Sequence, residues 1–156
     1  MTIGDFNRWL YRGKRPNVLA RFLNKFYEIA AALGVTPNYM VTLEVTGRKS
    51  GRAILLPVVI AIVDGEHYLV SMLGEDVQWV QNVRAAGGRA AIRSGGRTEV
   101  VLEEVPIDQR APILKAYLRR APGARPHIPV HKDAPLEQFE RIAASLPTFR
   151  VVRLQE

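Results

Sequence analysis

The chain has 156 residues, no cysteine, and 22 Lys/Arg against 15 Asp/Glu. Its length and 47% hydrophobic content suit one domain with a real core, and the lack of cysteine excludes disulfides, a thiolate nucleophile and thiolate metal ligation. The basicity is uneven: residues 1–52 hold nine Lys/Arg against three Asp/Glu, and the remainder 13 against 12. Phosphates, nucleic acid or an anionic membrane are the partners that such a bias admits. No stretch has the order of a signal peptide or the length of a membrane span, so a cytoplasmic location is expected.

In chain order, residues 1–16 mix Phe6, Trp9, Leu10 and Tyr11 with Arg8, Arg12, Lys14 and Arg15, and read as a flexible basic segment of a single domain, residues 1–156. Asn17 can cap a helix in which Leu19, Phe22, Leu23, Phe26 and Ile29 recur at helical spacing, and Gly34 ends it. Residues 1–33 have two readings: a peripheral contact with an anionic bilayer, or, for residues 17–33, a helix packed over the domain. Val41, Leu43 and Val45 alternate with polar residues as in a half-buried strand. Beyond the loop VTGRKSGR, Ile54 to Val63 is apolar and β-branched, which predicts a central strand buried on both faces, with a bulge or a missing ladder bond at Pro57. Asp64-Gly65 signals a hairpin returning as Tyr68–Met72.

Val77 to Ala86 then reads as a short helix stopped by Gly87-Gly88. Two strands follow, Ala90–Arg93 and Thr98–Val105, joined across Ser94-Gly95-Gly96. Asp108 is placed to cap a helix running to about Arg120, Pro and Gly punctuate residues 122–135, and Pro135 opens a last helix to about Leu146. Phe149–Arg153 supplies a closing strand. Five or six strands in hairpin order with helices between them predict an α+β domain built on a small, mainly antiparallel barrel.

The chemistry-bearing candidates are few. Gly47, Arg48, Lys49, Ser50, Gly51 and Arg52 form a turn whose backbone N–H groups and cations suit an anion. The spacing matches neither GxxxxGK[ST] nor GxGxxG, so a solvated basic hairpin stands equally beside an anion site. In VQWVQNVRAA, Val77, Val80 and Val83 share one helix face, and Trp79 and Asn82 another. Trp79 reads either as partial core or as the wall of a ligand groove. His67 lies beside a turn, while His127 and His131 occupy a Pro-rich loop, so no metal site is expected. Glu103 and Glu104 point to opposite strand faces, and no nucleophile signature appears. An enzyme with this inventory must borrow its chemistry from a cofactor, and no catalytic residue can be named.

The run TLEVTGRKSGR…LLPVVI…DGEHYLVSMLGEDVQWVQNVRAAGGRAAIRSGGRTEVVLEEVP, residues 42–106, resembles the deazaflavin-dependent nitroreductase family. These are actinobacterial split β-barrel proteins related to flavin-binding barrels. The Thr-Gly-Arg-Lys-Ser-Gly loop, the Pro in the next strand, the Gly before a helix and the Trp-x-x-Asn within it recur there in this order. The resemblance implies a split β-barrel of about six strands with flanking helices. It also implies coenzyme F420 as cofactor, ahead of FMN, with hydride transfer to a quinone, nitro or other activated small-molecule acceptor. By the same carry-over, Gly47 to Arg52 meet the phosphate and carboxylates of F420, Pro57 shapes the wall beside the ring, and Gly74, Trp79 and Asn82 line the groove. The family's substrate tyrosines have no counterpart here, one aligning near Val59, so Val59, Tyr68, Met72 and Leu73 are the expected pocket. The other reading on this barrel is a non-enzymatic carrier of a flavin, haem or fatty acid. Nucleic acid is not expected, since the loop lacks interleaved aromatics; the chain is expected to be a monomer or a homodimer.

Overall fold

The computed structural model describes residues 40–154. Seven strands form one sheet: β1 (Met40–Thr46), β2 (Ala53–Val59), β3 (Ala61–Val63), β4 (Glu66–Val70), β5 (Arg89–Arg93), β6 (Arg97–Glu104) and β7 (Thr148–Arg153). Three α-helices, α1 (Gln78–Ala85), α2 (Ala111–Arg120) and α3 (Leu136–Ile142), lie around it. Every pairing is antiparallel, and the spatial order is β2-β1-β5-β6-β7-β4-β3. The two edges of the sheet, β2 and β3, are therefore separated in sequence by Ile60 alone. Only a sheet that curls right round can bring its own edges onto one continuous run of chain. The result is the split barrel expected from the sequence.

This geometry corrects the reading of Ile54 to Val63 as one central strand buried on both faces. The run divides at Ile60 into two edge strands, which raises the strand count to seven. Ala53 and Ile54 are exposed, and Leu55 to Val58 are half-buried. Nor does Pro57 break the ladder, since it stands in register opposite Thr42 in an unbroken seven-residue pairing. An edge strand tolerates proline because one of its sides has no partner to receive an N–H. Asp108 likewise caps no α-helix. It falls in a 3-10 turn (Ile107–Gln109), and α2 begins at Ala111 with Pro112 in its first turn, where a missing N–H costs nothing. The last helix ends at Ile142 and tightens into a 3-10 turn over Ala143–Ser145. The Asp64-Gly65 turn is as the sequence predicts, with positive φ at both residues. The basic segment 1–16 and the helix expected over 17–33 lie outside the described residues.

Strand alternation feeds two cores. Val41, Leu43 and Val45 point into the barrel with Leu69, Leu102 and Phe149, and α1 closes that end with Val80 and Val83. Ala61 and Val70 point the other way, against Leu114 and Leu118 of α2 and Phe139 of α3. Gly88, just after α1, is close-packed: a Cβ there would lie 2.8 Å from the Leu102 carbonyl oxygen, which only glycine avoids. Arg110 is buried and joins α2 to its surroundings, donating to the carbonyls of Val105, Ala143 and Leu146 and to Glu104.

Glu104 is also where α1 is tied to β6, through paired bonds from Arg84 of 2.8 and 2.9 Å. The Arg84 hydrogen bonds hold the Glu104 carboxyl below the usual range, against an opposing push from burial and with further charge from Arg110. A carboxyl depressed in the folded state stabilises the fold above its unfolded pKa, and the contribution is lost as pH falls through the folded value. Glu104→Gln should therefore lower the urea midpoint at pH 6, and the gap to the parent chain should close as the pH drops below about 4. A gap independent of pH would assign Glu104 a role other than its charge.

Candidate functional site

The loop between β1 and β2 is built as a closed turn. The Gly47 N–H donates to Arg52 O, and the Gly51 N–H to Gly47 O, both at 2.8 Å. Gly51 sits at φ +71, where a side chain is strained, and a Cβ on Gly47 would lie 2.6 Å from Ser50 Oγ. That hydroxyl accepts from the Arg52 N–H at 3.2 Å. The two glycines and the serine are thus accounted for by the turn itself.

The cations are not equivalent. Asn82 of α1 is buried, and its Oδ1 accepts from the Arg48 backbone N–H at 3.0 Å and from Arg48 Nη1 at 2.8 Å. Arg48 Nη1 also donates to Gln78 Oε1 at 3.0 Å. Arg48 is therefore the bolt that fastens the loop to α1. Lys49 and Arg52 are exposed, and among the described residues neither side chain has a hydrogen-bond or ion-pair partner. Beside them α1 begins at Gln78 with no side-chain cap, so its first N–H groups remain available to an anion. Two cations without a partner among the described residues thus extend from a closed turn that Arg48 fastens to α1.

The other expected residues divide by strand face. Trp79 is half-buried, its ring centroid 5.5 Å from that of Phe149 with planes at 55°, so it packs against the barrel interior. Gly74, at φ +98, shapes the turn ahead of α1, where its carbonyl accepts from Ser71 Oγ at 2.6 Å. Pro57 lies between Leu56 and Val58, which face the interior, and so occupies the outer face of β2. Its neighbour on that face is Thr42, whose buried Oγ1 has no hydrogen-bond partner among the described residues. Val59 is buried in the core beneath α2, and Tyr68 and Met72 pack against the same cluster, while Leu73 is exposed. The structure thus unites the loop with α1, and gathers Val59, Tyr68 and Met72 elsewhere, away from the loop.

Sequence reasoning missed Gln78, whose amide becomes visible as a loop contact only once α1 is docked. It also missed the ion cluster on the outer face of β1, β5 and β6, where Glu44 accepts from Arg93 Nε and from Arg97 Nε, each at 3.0 Å. Burial raises the Glu44 carboxyl, but the bonds from Arg97 and Arg93 together bring it below the usual range. Among the described residues no group of three or more His, Asp or Glu side chains is placed to hold a metal ion. No described helix is long and apolar enough to cross a membrane. The membrane contact considered for residues 1–33 lies outside the described residues.

A family model described as F420H(2)-dependent quinone reductase matches residues 19–127. Among solved structures, an F420-H2 dependent reductase (FDR-A) is 18% identical, covers 75% of this chain and 96% of its own, and superposes with a TM-score of 0.51. A conserved hypothetical protein from Mycobacterium tuberculosis is 19% identical over 83% of this chain and 80% of its own, TM-score 0.55. A protein described as a domain-swapped dimer is 19% identical over 87% of this chain and 98% of its own, TM-score 0.53. At such identities these structures share the fold alone. No curated protein sequence matches.

The Asn82 clamp is directly testable. Asn82→Leu removes the acceptor for two Arg48 donors and should cost about 1–3 kcal/mol of stability, as expected for a part-buried donor left unpaired. Asn82→Asp keeps the acceptor and should restore most of it. Urea unfolding of both variants checks this; equal losses would mean that the Oδ1 acceptor is not what holds the loop.

Proposed function

Because the chain belongs to the F420H(2)-dependent quinone reductase family, we propose that the Gly47–Arg52 loop and the adjoining start of α1 hold the anionic part of coenzyme F420. The reaction is hydride transfer to a quinone, a nitro compound or another activated small-molecule acceptor. The carrying observation is the division of labour in the loop: Arg48 is spent on α1, whereas Lys49 and Arg52 are held on the same rigid turn with no partner among the described residues.

The donor set suits the cofactor. Phosphate and carboxylate groups accept charge-assisted bonds from Lys and Arg, and the uncapped N–H groups of α1 add a favourable dipole. The orphaned Thr42 Oγ1 beside Pro57 is a further polar atom on the same hairpin. When bound, reduced F420 supplies the hydride; this chain's residues supply placement. Lys49 and Arg52 anchor charge, Asn82 keeps the loop in register with α1, and the Trp79–Phe149 contact stiffens the first turn of that helix. Pre-set donors of this kind accelerate a transfer by fixing distance and orientation rather than by acid-base chemistry. The acceptor is a small molecule, and Leu73, exposed on the turn ahead of α1, is the expected pocket residue left open to one.

F420 should bind more tightly than FMN, and its affinity should fall with added salt. Lys49→Ala/Arg52→Ala should weaken F420 binding by roughly tenfold or more per residue, the equivalent of about 1.5 kcal/mol for each lost charge-assisted bond. Its melting temperature should match that of the parent chain, because exposed unpaired cations contribute little to stability. Fluorescence titration with F420 and with FMN measures this. Unchanged F420 affinity in the double variant would reduce the loop to a solvated turn.

A further inference from the structure

Among the described residues, the second end of the barrel is open. A cavity of about 330 Å³ lies there, walled by Val41, Ile92 and Val151 from the barrel interior and bordered by Ile62, His67 and Arg153. The strand register shows how it arises. Deep in the barrel, facing pairs are apolar on both sides: Leu43 opposite Ile92, Leu69 opposite Phe149, Leu102 opposite Val151. Around the cavity three of the apolar residues also face polar ones: Ile62 opposite His67, Ile92 opposite Thr98, Val100 opposite Arg153. The polar side chains are basic or neutral, and among the described residues none that lines the cavity is acidic. Arg120 of α2 also borders the cavity and is held in place, its Nη1 donating to the Ile60 carbonyl at 3.1 Å.

We propose that this open end is a second binding site, for a small monoanion with an apolar body, such as an aromatic carboxylate. The walls would take the ring, and Arg153 the carboxylate. Pockets that bind small molecules combine an apolar lining with a few polar groups at fixed points, and this volume stands at the lower end of their range. A compact ring fits it. The site is separate from the loop, because Val41 and Gly47 lie six residues apart along an extended strand, roughly 20 Å. The bonds from guanidinium to carboxylate are charge-assisted, which gives preference over a neutral ligand of the same shape.

The test uses 1-naphthoate as probe against 1-naphthalenemethanol, its neutral counterpart, titrated calorimetrically into the full chain. Naphthoate should bind at least tenfold more tightly than the alcohol. Arg153→Gln should remove most of that preference, and Ile62→Glu, at an exposed position on the rim, should repel the carboxylate while leaving the fold intact. Unfolding curves of both variants confirm that the chain is folded. Lys49→Ala/Arg52→Ala should bind naphthoate as the parent chain does, so the outcome here is independent of F420 binding. No binding up to millimolar naphthoate, equal affinity for the two probes, or unchanged binding in both rim variants would overturn the site; loss of naphthoate binding in the loop variant would relocate it to the loop.

Discussion

The whole architecture follows from one connection. Val59 ends one edge of the sheet and Ala61 begins the other, so the sheet has no choice but to close on itself around Ile60. Closure removes most of the exposed edge that an open seven-stranded sheet would present. It also leaves an interior with two ends. One is plugged by Val80 and Val83 of α1, beside the β1–β2 loop. The other is the cavity bordered by His67 and Arg153. The loop proposed to hold an anion lies at the plugged end, and the proposed second site at the far end.

Local patterning made much of this legible. Alternation in Val41–Thr46, the Asp64-Gly65 turn and the Gly87-Gly88 stop each carry their signal within a few residues, and each element stands where the sequence puts it. The run Ile54–Val63 failed for an instructive reason. A continuous apolar β-branched stretch predicts burial on both faces, but burial here comes from curling, with two edge strands sharing one run of chain. The apolar pattern of those ten residues does not by itself distinguish that from a central strand. Pro57 was the available clue, because proline belongs on an edge, and the same residue read as a bulge was read one step short.

The candidate site shows the same limit. Glycines and cations in VTGRKSGR admit an anion site or a solvated turn, but composition cannot rank Arg48, Lys49 and Arg52. Ranking needs the tertiary contact with Asn82, 34 residues away, which commits Arg48 to structure. Asn82 itself was legible as a polar residue on a distinct helix face from Val80 and Val83; its target was not. Buried polar side chains of this sort carry weight because an unmade bond there costs more than a made one gains. That asymmetry lets a single amide fix the position of a whole loop.

Separating the anchoring cation from the free ones has a physical consequence for any anionic ligand. A guanidinium already bonded to Asn82 and Gln78 loses little conformational freedom when an anion arrives, whereas Lys49 and Arg52 must be ordered at a cost of up to about 2 kcal/mol each in rotamer freedom. The rigid turn offsets part of that cost by fixing the Cα positions from which both side chains extend. The loop is then preorganised in its backbone and adaptable in its tips. Such a division suits a ligand whose charged part is long and flexible, because the tips can follow the charge while the backbone N–H groups hold one fixed point. A compact monoanion gains less from mobile tips and more from a shaped wall, and the far end of the barrel offers that arrangement instead.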